Sequence, residues 1–494
     1  KETYGFAPDQ AWLDHVRLAS VRFPGGSGSF VSRDGLVLTN HHVAHNAIEQ
    51  VSDKDHDYVK QGFVAVDRGK EIPVPGLVLL TLESMTNVTD QVEAAVKAGM
   101  DEKTADKART AAMDGLLKEA RTKSGLQCEA VVLYQGGQRW IYGYRRHTDV
   151  RLVMAPEYQV AAFGMDWDNF SFPRHDLDFT LFRVYQDGKP YVPPHHLAWT
   201  KDGLKHGDMT FTSGHPGRTS RLMTRAQMLF DRDLTLPLQD RQLKRDQAAA
   251  RAFAAKGEEH ARLVSGRLQY DGNFIKVFEG QIKGLKDPFT LNALEKAEAA
   301  FQKSVAADPA LAKQAGGSWK KIEAALQTRR AIVKPLISAN ALSGARGSSH
   351  LSTAIIAVRL ATEAAKPEAQ RLPELVSEEA LKAARGRIMG FKPKEVDLEK
   401  VLLEAALQGV LDELGPKDPL SVAIFGGDSP KQLTDKLFGQ TNLQDEKVRG
   451  ALVEGGLKAV SESKDPFIAL ARRMDPILRS LRKQSEASQA IISD

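Results

Sequence analysis

The sequence contains a single cysteine, Cys128, in 494 residues. One thiol excludes a disulfide within the chain and a metal site built from several thiolates. It fits both a reducing compartment and an exported protein that avoids unpaired thiols, so cysteine usage leaves the location open. Because the apolar run 130–133 follows closely, we expect Cys128 to be a small buried side chain.

Long apolar runs and a strong excess of one charge are also missing. No stretch approaches the ~20 apolar residues of a membrane-spanning helix. The 68 basic and 63 acidic residues leave a net charge of +5 and are spread along the chain. We therefore expect neither nucleic acid nor a membrane among the partners. The chain begins at Lys1, which we interpret as a mature form after signal-peptide removal or as a trimmed product.

The first part of the chain has the pattern of a β protein. A length of 494 residues predicts more than one domain. Up to about residue 230, short β-rich runs alternate with turn signals, as in antiparallel barrels or sandwiches. The predicted strands are 35–39, 76–82, 129–134, 149–154, 179–185 and 209–213. One helical interruption is predicted over 89–123.

The second part, 231–494, is predicted to be an α-helical domain. Its apolar residues recur at spacings of three and four, as on the buried face of a helix. Two such stripes are predicted to lie in the core. They are Leu291, Leu294, Ala297 and Phe301, and then Val401, Leu402, Ala405, Ala406, Val410, Leu411 and Leu414.

His42 is the first candidate for chemistry. It follows the run 35–39 in the sequence Leu38-Thr39-Asn40-His41-His42, which is similar to the histidine motif of a chymotrypsin-type protease. A neutral imidazole at the end of a barrel strand is suited to accept a hydroxyl proton. His41 and His42 are not favoured as a metal pair, because neighbours on a strand point to opposite faces.

Asp178 is the second candidate, because an alternating β run begins directly after it at Phe179. A carboxylate there would orient the imidazole and stabilise its protonated form. Asp176, two residues upstream, is a rival. The alternative interpretation is that Asp178 only pairs with Arg174 or Arg183.

A serine that would complete a His-Asp-Ser order is not indicated. Ser27 precedes the histidine by one hairpin, and Ser213 lacks the preceding glycine that supplies an oxyanion amide. Ser429 is followed by Pro430, which is typical of a helix N-cap and its first residue. We therefore predict turn or cap roles for all three serines.

Six segments taken together resemble one known family. They are 26–32, 38–42, 148–153, 168–175, 178–179 and 213–219. They resemble the bacterial dipeptidyl-peptidases of the seven and eleven type, which are chymotrypsin-clan serine exopeptidases. The resemblance covers essentially the whole chain. It implies an α+β multidomain protein with a chymotrypsin-like double β-barrel and a large inserted α-helical domain. The catalytic portion would be 1–230 and the helical cap domain 231–494.

The resemblance also implies an activity and a set of site residues. The activity is release of dipeptides from the free amino termini of peptides through an acyl-enzyme, with no cofactor and no metal. His42 would be the base and Asp178 its partner. Asn169, Phe170 and Asn273 would hold the free amino terminus of the peptide. Phe170 departs from the tryptophan that is common in the family.

Family members carry the nucleophile in a later segment, Gly-Asn-Ser-Gly-Ser-Pro, which these 494 residues do not contain. We therefore expect the chain to hold the histidine and aspartate but not the serine, to have an incomplete second barrel with an unpaired edge, and to be inactive alone. Alternatives are a catalytically inactive peptide-binding relative, a fragment completed by a separate C-terminal chain, and a helical scaffold that uses 231–494 for partner contacts.

The resemblance gives two further expectations. The protein would be periplasmic or secreted, and it would form a homodimer. It does not indicate which side chain is preferred next to the cleaved bond.

Overall fold

The computed structural model describes residues 5–53, 55–161, 175–216, 222–344, 347–393 and 395–493. The chain divides into two units, one that ends at Leu222 and one from Met223 to Ser493. In the described ranges, every helix is too short or too polar to cross a bilayer.

Strands and short helices make up the first unit. Its strands are β1 Ser20–Phe23, β2 Gly26–Phe30, β3 Leu36–Thr39, β4 Phe63–Val64, β5 Ile72–Pro73, β6 Leu79–Asn87, β7 Gln127–Leu133, β8 Gln138–His147, β9 Asp149–Ala155, β10 Thr180–Gln186 and β11 Lys189–Pro190. Its helices are α1 Gln10–Ala19, α2 His41–Val51, α3 Tyr58–Gln61, α4 Thr89–Glu93, α5 Glu102–Ser124 and α6 Tyr158–Ala161, with 3-10 turns at Arg68–Lys70 and Tyr134–Gly136.

The described strands form one antiparallel sheet in the order β4-β9-β10-β3-β2-β1-β6-β8-β7, with β11 beside β10 and β5 beside β9. Its first and last members do not pair with each other in this order, so these strands form an open sheet. The mixture of helices with an antiparallel sheet was expected. The two closed barrels that the resemblance implies are not present among the described strands.

The core of this unit lies against the middle of the sheet. Phe182 and Val184 on β10, Val37 on β3 and Leu152 on β9 are all fully buried. Along β3 and the first part of β9, buried side chains alternate with less buried ones, as the period of two requires. Ile48 of α2 packs into the same cluster, and this contact ties the helix that follows β3 to the sheet.

Three features of this unit differ from the sequence predictions or sharpen them. Residues 209–213 do not form a strand, and Phe211 is instead half exposed beside Trp12. The helical stretch predicted over 89–123 is two helices, because Gly99 has a φ of 86° that no helix accepts. Cys128 is buried, which confirms its predicted place in the core.

The second unit is helical throughout its described residues. Its α-helices are α7 Arg225–Phe230, α8 Leu236–Ala254, α9 Glu258–Lys286, α10 Pro288–Ala307, α11 Pro309–Ala315, α12 Ser318–Ser343, α13 Ser349–Ala364, α14 Glu378–Met389, α15 Val396–Leu414, α16 Pro419–Phe425, α17 Pro430–Gln440, α18 Glu446–Glu462 and α19 Pro466–Ser493. A π-helix at Asp231–Thr235 joins α7 to α8, and 3-10 turns lie at Glu368–Gln370 and Pro373–Leu375.

The two apolar stripes predicted for this unit differ in burial. The stripe on α15 packs into the core, where Val410 is 1% exposed and Leu411 and Leu414 lie against the main cluster. The stripe on α10 does not, and the prediction that it forms core is wrong for Phe301, which is 63% exposed. Phe301 contacts only the ring of Trp319 among the described aromatic side chains.

A carboxylate joins α13 to α15. Glu399 of α15 accepts hydrogen bonds from the His350 backbone amide and from its Nδ1, both at 3.0 Å, and from the hydroxyls of Ser348 and Ser349. Burial alone would raise the pKa of Glu399, but the hydrogen bonds from His350 and the serines outweigh it and hold the pKa at about 2.

This depressed pKa predicts how stability depends on pH. The stabilising contribution of Glu399 is complete above its unfolded pKa of 4.5 and is lost as pH falls from 4.5 to about 2. Glu399→Gln should therefore lower the unfolding free energy by about 3 kcal/mol at pH 7. The difference from wild type should shrink as pH falls below about 4.

Urea unfolding at several pH values measures this difference. Glu454→Gln, on the exposed face of α18, is the matched control and should change little at any pH. A constant penalty for Glu399→Gln from pH 7 to pH 3 would contradict the assignment.

Candidate active site

Strand pairing brings the two candidate residues together. β3 and β10 are antiparallel, with Thr39 opposite Thr180. The chain leaves β3 at Thr39 and enters β10 at Thr180, so the residues just after one strand and just before the other meet at the same end. His42 and Asp178 lie at that end.

His42 and Asp178 are in direct contact. The Nδ1 atom of His42 is 2.9 Å from Oδ2 of Asp178 and 3.1 Å from its Oδ1. The Asp178 side chain is 10% exposed, whereas that of His42 is 43% exposed. The carboxylate is therefore held in the protein while the imidazole faces solvent, which is the arrangement of an orienting acid behind a working base.

The Asp178 carboxylate has two further donors. It accepts a hydrogen bond from the backbone amide of His42 at 3.1 Å and one from Nδ2 of Asn40 at 2.9 Å. Burial alone would raise the pKa of Asp178, but the hydrogen bonds from His42 and Asn40 outweigh it and leave the pKa below its ordinary value. Asp178 is ionised at neutral pH and acts as an acceptor toward His42.

The local structure around the histidines differs from the strand that the sequence suggested. β3 ends at Thr39, and His41 and His42 are the first two residues of helix α2. His41 points into the protein and is 2% exposed. Burial, with the nearby His45, lowers the pKa of His41 to about 4, so this ring is neutral at pH 7 and only His42 is presented to solvent.

The alternative partners proposed for Asp178 are engaged elsewhere or lie outside the described residues. Arg183 pairs with the buried Glu71 at 2.9 Å and with Asp34 at 2.9 Å. Arg174 is outside the described residues. Asp178, which the alternation from Phe179 favoured over Asp176, accepts a hydrogen bond from the His42 amide at 3.1 Å and lies 2.9 Å from its Nδ1 atom.

The three serines weighed in the sequence have structural partners. The Ser27 hydroxyl accepts a hydrogen bond from the His215 amide, and Ser213 pairs with Ser20. Ser429 caps α17 through Gln432 and is followed by Pro430 in the first turn, which confirms the predicted cap. The hydroxyls thus have roles in turns, strands and caps.

The other predicted site residues are placed less completely. Asn169 and Phe170 lie outside the described residues. Asn273 is half buried on α9 in the second unit. The same helix carries Tyr270 and Phe274, whose ring centroids are 4.4 Å apart and whose planes are tilted by 30°. In the described ranges, no group of three or more His, Cys, Asp or Glu side chains is arranged to hold a metal ion.

The fold is that of a group of solved peptidase structures. Dipeptidyl-peptidase 11 (DPP11) of Porphyromonas endodontalis, in complex with the dipeptide Arg-Asp, aligns with a TM-score of 0.70 over 97% of this chain and 70% of that chain. The complex of the same protein with Arg-Glu aligns with a TM-score of 0.69. Sequence identity in both alignments is 22%, so the likeness shows the fold alone.

Sequence comparison then gives the family. The Peptidase S46 family model matches residues 1–494, and the chain belongs to this family. An Asp/Glu-specific dipeptidyl-peptidase of Shewanella putrefaciens is 29% identical over 90% of this chain and 62% of its own length. Dipeptidyl-peptidase 7 of Porphyromonas gingivalis is 37% identical over 42% of this chain and 31% of its own length. The chain thus spans less than two thirds of these curated relatives.

The contact between His42 and Asp178 predicts the tautomer of the histidine. An ionised carboxylate only accepts hydrogen bonds, so neutral His42 must carry its proton on Nδ1 and keep the lone pair on Nε2. Nitrogen-15 spectra of histidine-labelled protein should show this form. Asp178→Asn should shift His42 toward the Nε2–H form, because the new amide donates to Nδ1.

Asp187→Asn, at an exposed position after the far end of β10, is the matched control for this measurement, because it removes a carboxylate away from the pair and should leave the His42 spectrum unchanged. An Nε2–H form in the wild-type protein would show that Asp178 does not orient the ring.

Proposed function

We propose that these 494 residues form the histidine- and aspartate-bearing part of a serine-type dipeptidyl-peptidase, which releases dipeptides from the free amino termini of peptides. The observation that carries the proposal is the contact between the exposed His42 ring and the Asp178 carboxylate, which is largely buried. Membership in Peptidase S46 and the names of the relatives support the peptide substrate, as do the DPP11 complexes with dipeptides.

His42 acts first as a general base and then as a general acid. Its Nε2 lone pair accepts the proton of a serine hydroxyl as that hydroxyl attacks the peptide carbonyl, and the imidazolium then protonates the leaving amine. Asp178 fixes the ring orientation and stabilises the imidazolium while it exists. A water molecule then attacks the acyl-enzyme while His42 accepts its proton. The imidazolium returns that proton to the serine oxygen as the dipeptide leaves.

The nucleophile and its oxyanion donors belong to a segment outside these residues. Ser27, Ser213 and Ser429 are each assigned to a structural contact, which supports this view. That segment would also complete the chymotrypsin-like barrels. It would reach the site either in the same polypeptide or as a separate C-terminal fragment of the same protein.

Three residues are proposed to read the free amino terminus. The amide oxygens of Asn169 and Asn273 would accept hydrogen bonds from the ammonium group, and Phe170 would lie beside it, as the resemblance implies. Anchoring the ammonium group places the second peptide bond from the amino terminus at the catalytic residues, so that a dipeptide is released. The helical residues 231–494 would form a cap that excludes blocked or long peptides. We further propose a homodimer in the periplasm or outside the cell.

Substitution of the pair tests the mechanism in a protein that carries the serine segment. His42→Ala and Asp178→Asn should each lower kcat/KM for an unblocked dipeptidyl amide by about 10³- to 10⁴-fold. His56→Ala, at an exposed histidine 62% accessible to solvent, is the control and should retain full activity. Normal turnover by His42→Ala would refute the assignment. An acetylated substrate cleaved as fast as the free one would refute recognition of the amino terminus.

The isolated 494 residues should have no peptidase activity. Without a serine between oxyanion donors, the His42–Asp178 pair lacks both covalent catalysis and the aligned amides, which together contribute several powers of ten. Purified chain is assayed with unblocked dipeptidyl amides, with and without a serine-directed phosphonate. Turnover that the phosphonate blocks would mean that one of the three serines is the nucleophile. Peptide binding without turnover even in the serine-bearing protein would favour the inactive relative.

A further inference from the structure

Asn40 occupies the N-cap position of α2 but does not cap the helix. Asparagine is among the best N-cap residues, because its side-chain oxygen accepts a hydrogen bond from the second or third amide of the helix. The Asn40 side chain makes no such bond. Its backbone is extended, with φ −74° and ψ 150°, so the position itself is an ordinary N-cap.

The side chain of Asn40 instead donates hydrogen bonds to Asp178. Its Nδ2 donates to Oδ2 of Asp178 at 2.9 Å and to the backbone oxygen of the same residue at 3.2 Å. Oδ1 of Asp178 in turn accepts the His42 amide at 3.1 Å, which is the second amide of α2 and the usual target of a cap. The aspartate thus caps the helix from the segment just before β10, and the asparagine holds the aspartate.

This arrangement fixes the plane of the carboxylate. The His42 amide lies on Oδ1, Asn40 Nδ2 lies on Oδ2, and His42 Nδ1 is within 3.1 Å of both oxygens. With the Asn40 donor removed, Oδ2 would keep only the imidazole, and the carboxylate plane would be less tightly fixed about the Cβ–Cγ bond. The bond to the backbone oxygen also fixes the chain just before β10 begins.

We propose that Asn40 is a positioning residue, which holds the Asp178 carboxylate in the orientation that serves His42. The inference rests on the proposed function, since it assigns Asn40 a part in the same reaction. Asn40 does not touch the reacting atoms and acts only through Asp178. Asn40 is an exposed residue, so its hydrogen bonds contribute little to the stability of the fold. Their effect is to orient the Asp178 carboxylate.

Two substitutions separate this role from helix capping. Serine and aspartate cap helices about as well as asparagine does, so Asn40→Ser and Asn40→Asp should be harmless if residue 40 only supports α2. Neither reproduces the donor, because a serine hydroxyl is too short to span the same distance and a carboxylate has no N–H. Asn40→Asp also sets a second carboxylate against Asp178, and two such groups in contact cannot both ionise easily.

The first measurement needs no activity. The Asp178 carboxyl is titrated by carbon-13 NMR in the 494-residue chain, and its pKa should move up toward the ordinary value in Asn40→Ser and Asn40→Ala. In Asn40→Asp the two carboxyls should titrate as a coupled pair, with one proton retained to higher pH. Among the described residues, His42 contacts Asp178 and the buried His41 interacts with it electrostatically. Asn46→Ala, an exposed position on α2, is the matched control and should leave the titration unchanged.

The second measurement is kinetic and uses the serine-bearing protein. Asn40→Ser and Asn40→Ala should lower kcat about tenfold with KM nearly unchanged, because the lost bond acts on the histidine pair and not on the peptide. Asn40→Asp should lower kcat by about 100-fold or more. Urea midpoints equal to wild type in Asn40→Ser and Asn40→Asp would show that folding is intact.

The outcomes separate the inference from the proposed function. Wild-type titration and wild-type kcat in both Asn40→Ser and Asn40→Asp would overturn the positioning role. Loss of activity in His42→Ala together with full kcat in Asn40→Ser would overturn it as well, while the proposed function stands. A shifted Asp178 titration in the Asn40 variants, together with unimpaired turnover by His42→Ala, would support the Asn40–Asp178 hydrogen bond but refute the proposed mechanism.

Discussion

The candidate site depends on one piece of strand pairing, the antiparallel contact of β3 with β10. His42 and Asp178 are 136 positions apart in the chain, and the register that sets Thr39 opposite Thr180 brings them within hydrogen-bond distance. β10 lies between β3 and β9 in the sheet, and its buried Phe182 and Val184 hold it there. Because a slip of one residue would turn these side chains away from the core, the packing that stabilises the sheet also fixes the geometry of the pair.

Among the residues that the structure describes, the same local arrangement is found at two histidines with different surroundings. In each case a carboxylate from another element accepts both the amide and the Nδ1 atom of a histidine at the second position of a helix, Asp178 with His42 on α2 and Glu399 with His350 on α13. His350 is 1% exposed and packs among aromatic rings, so that pair only joins two helices. The His42 ring faces solvent, so a second reactant could reach its Nε2 atom.

Much of this was predictable from sequence, and the exceptions have physical causes. An alternating β run begins at Phe179, and the acid before it was identified from that alternation. Asn40 escaped notice because the sequence placed the histidines at the end of a strand, and only the geometry shows where the Asn40 amide points. Periodicity describes which face of a segment is apolar but not what covers that face. Residues 209–213 and the stripe that includes Phe301 were therefore assigned to a strand and a core that the described structure does not form.

The π-helix at Asp231–Thr235 joins α7 to α8 without a break. A π turn holds one residue more than an α turn, and each residue of an α-helix advances by about 100° around the axis. The π turn takes up its extra residue within one rotation, so the residues after it, including the buried Leu238, Leu243 and Phe253 of α8, keep the rotational phase of a regular helix that is one residue shorter. Deleting one residue from this segment should therefore restore a regular helix without turning that apolar face away from its partners. The irregularity thus adds a residue between α7 and α8 while the packing of α8 stays in phase.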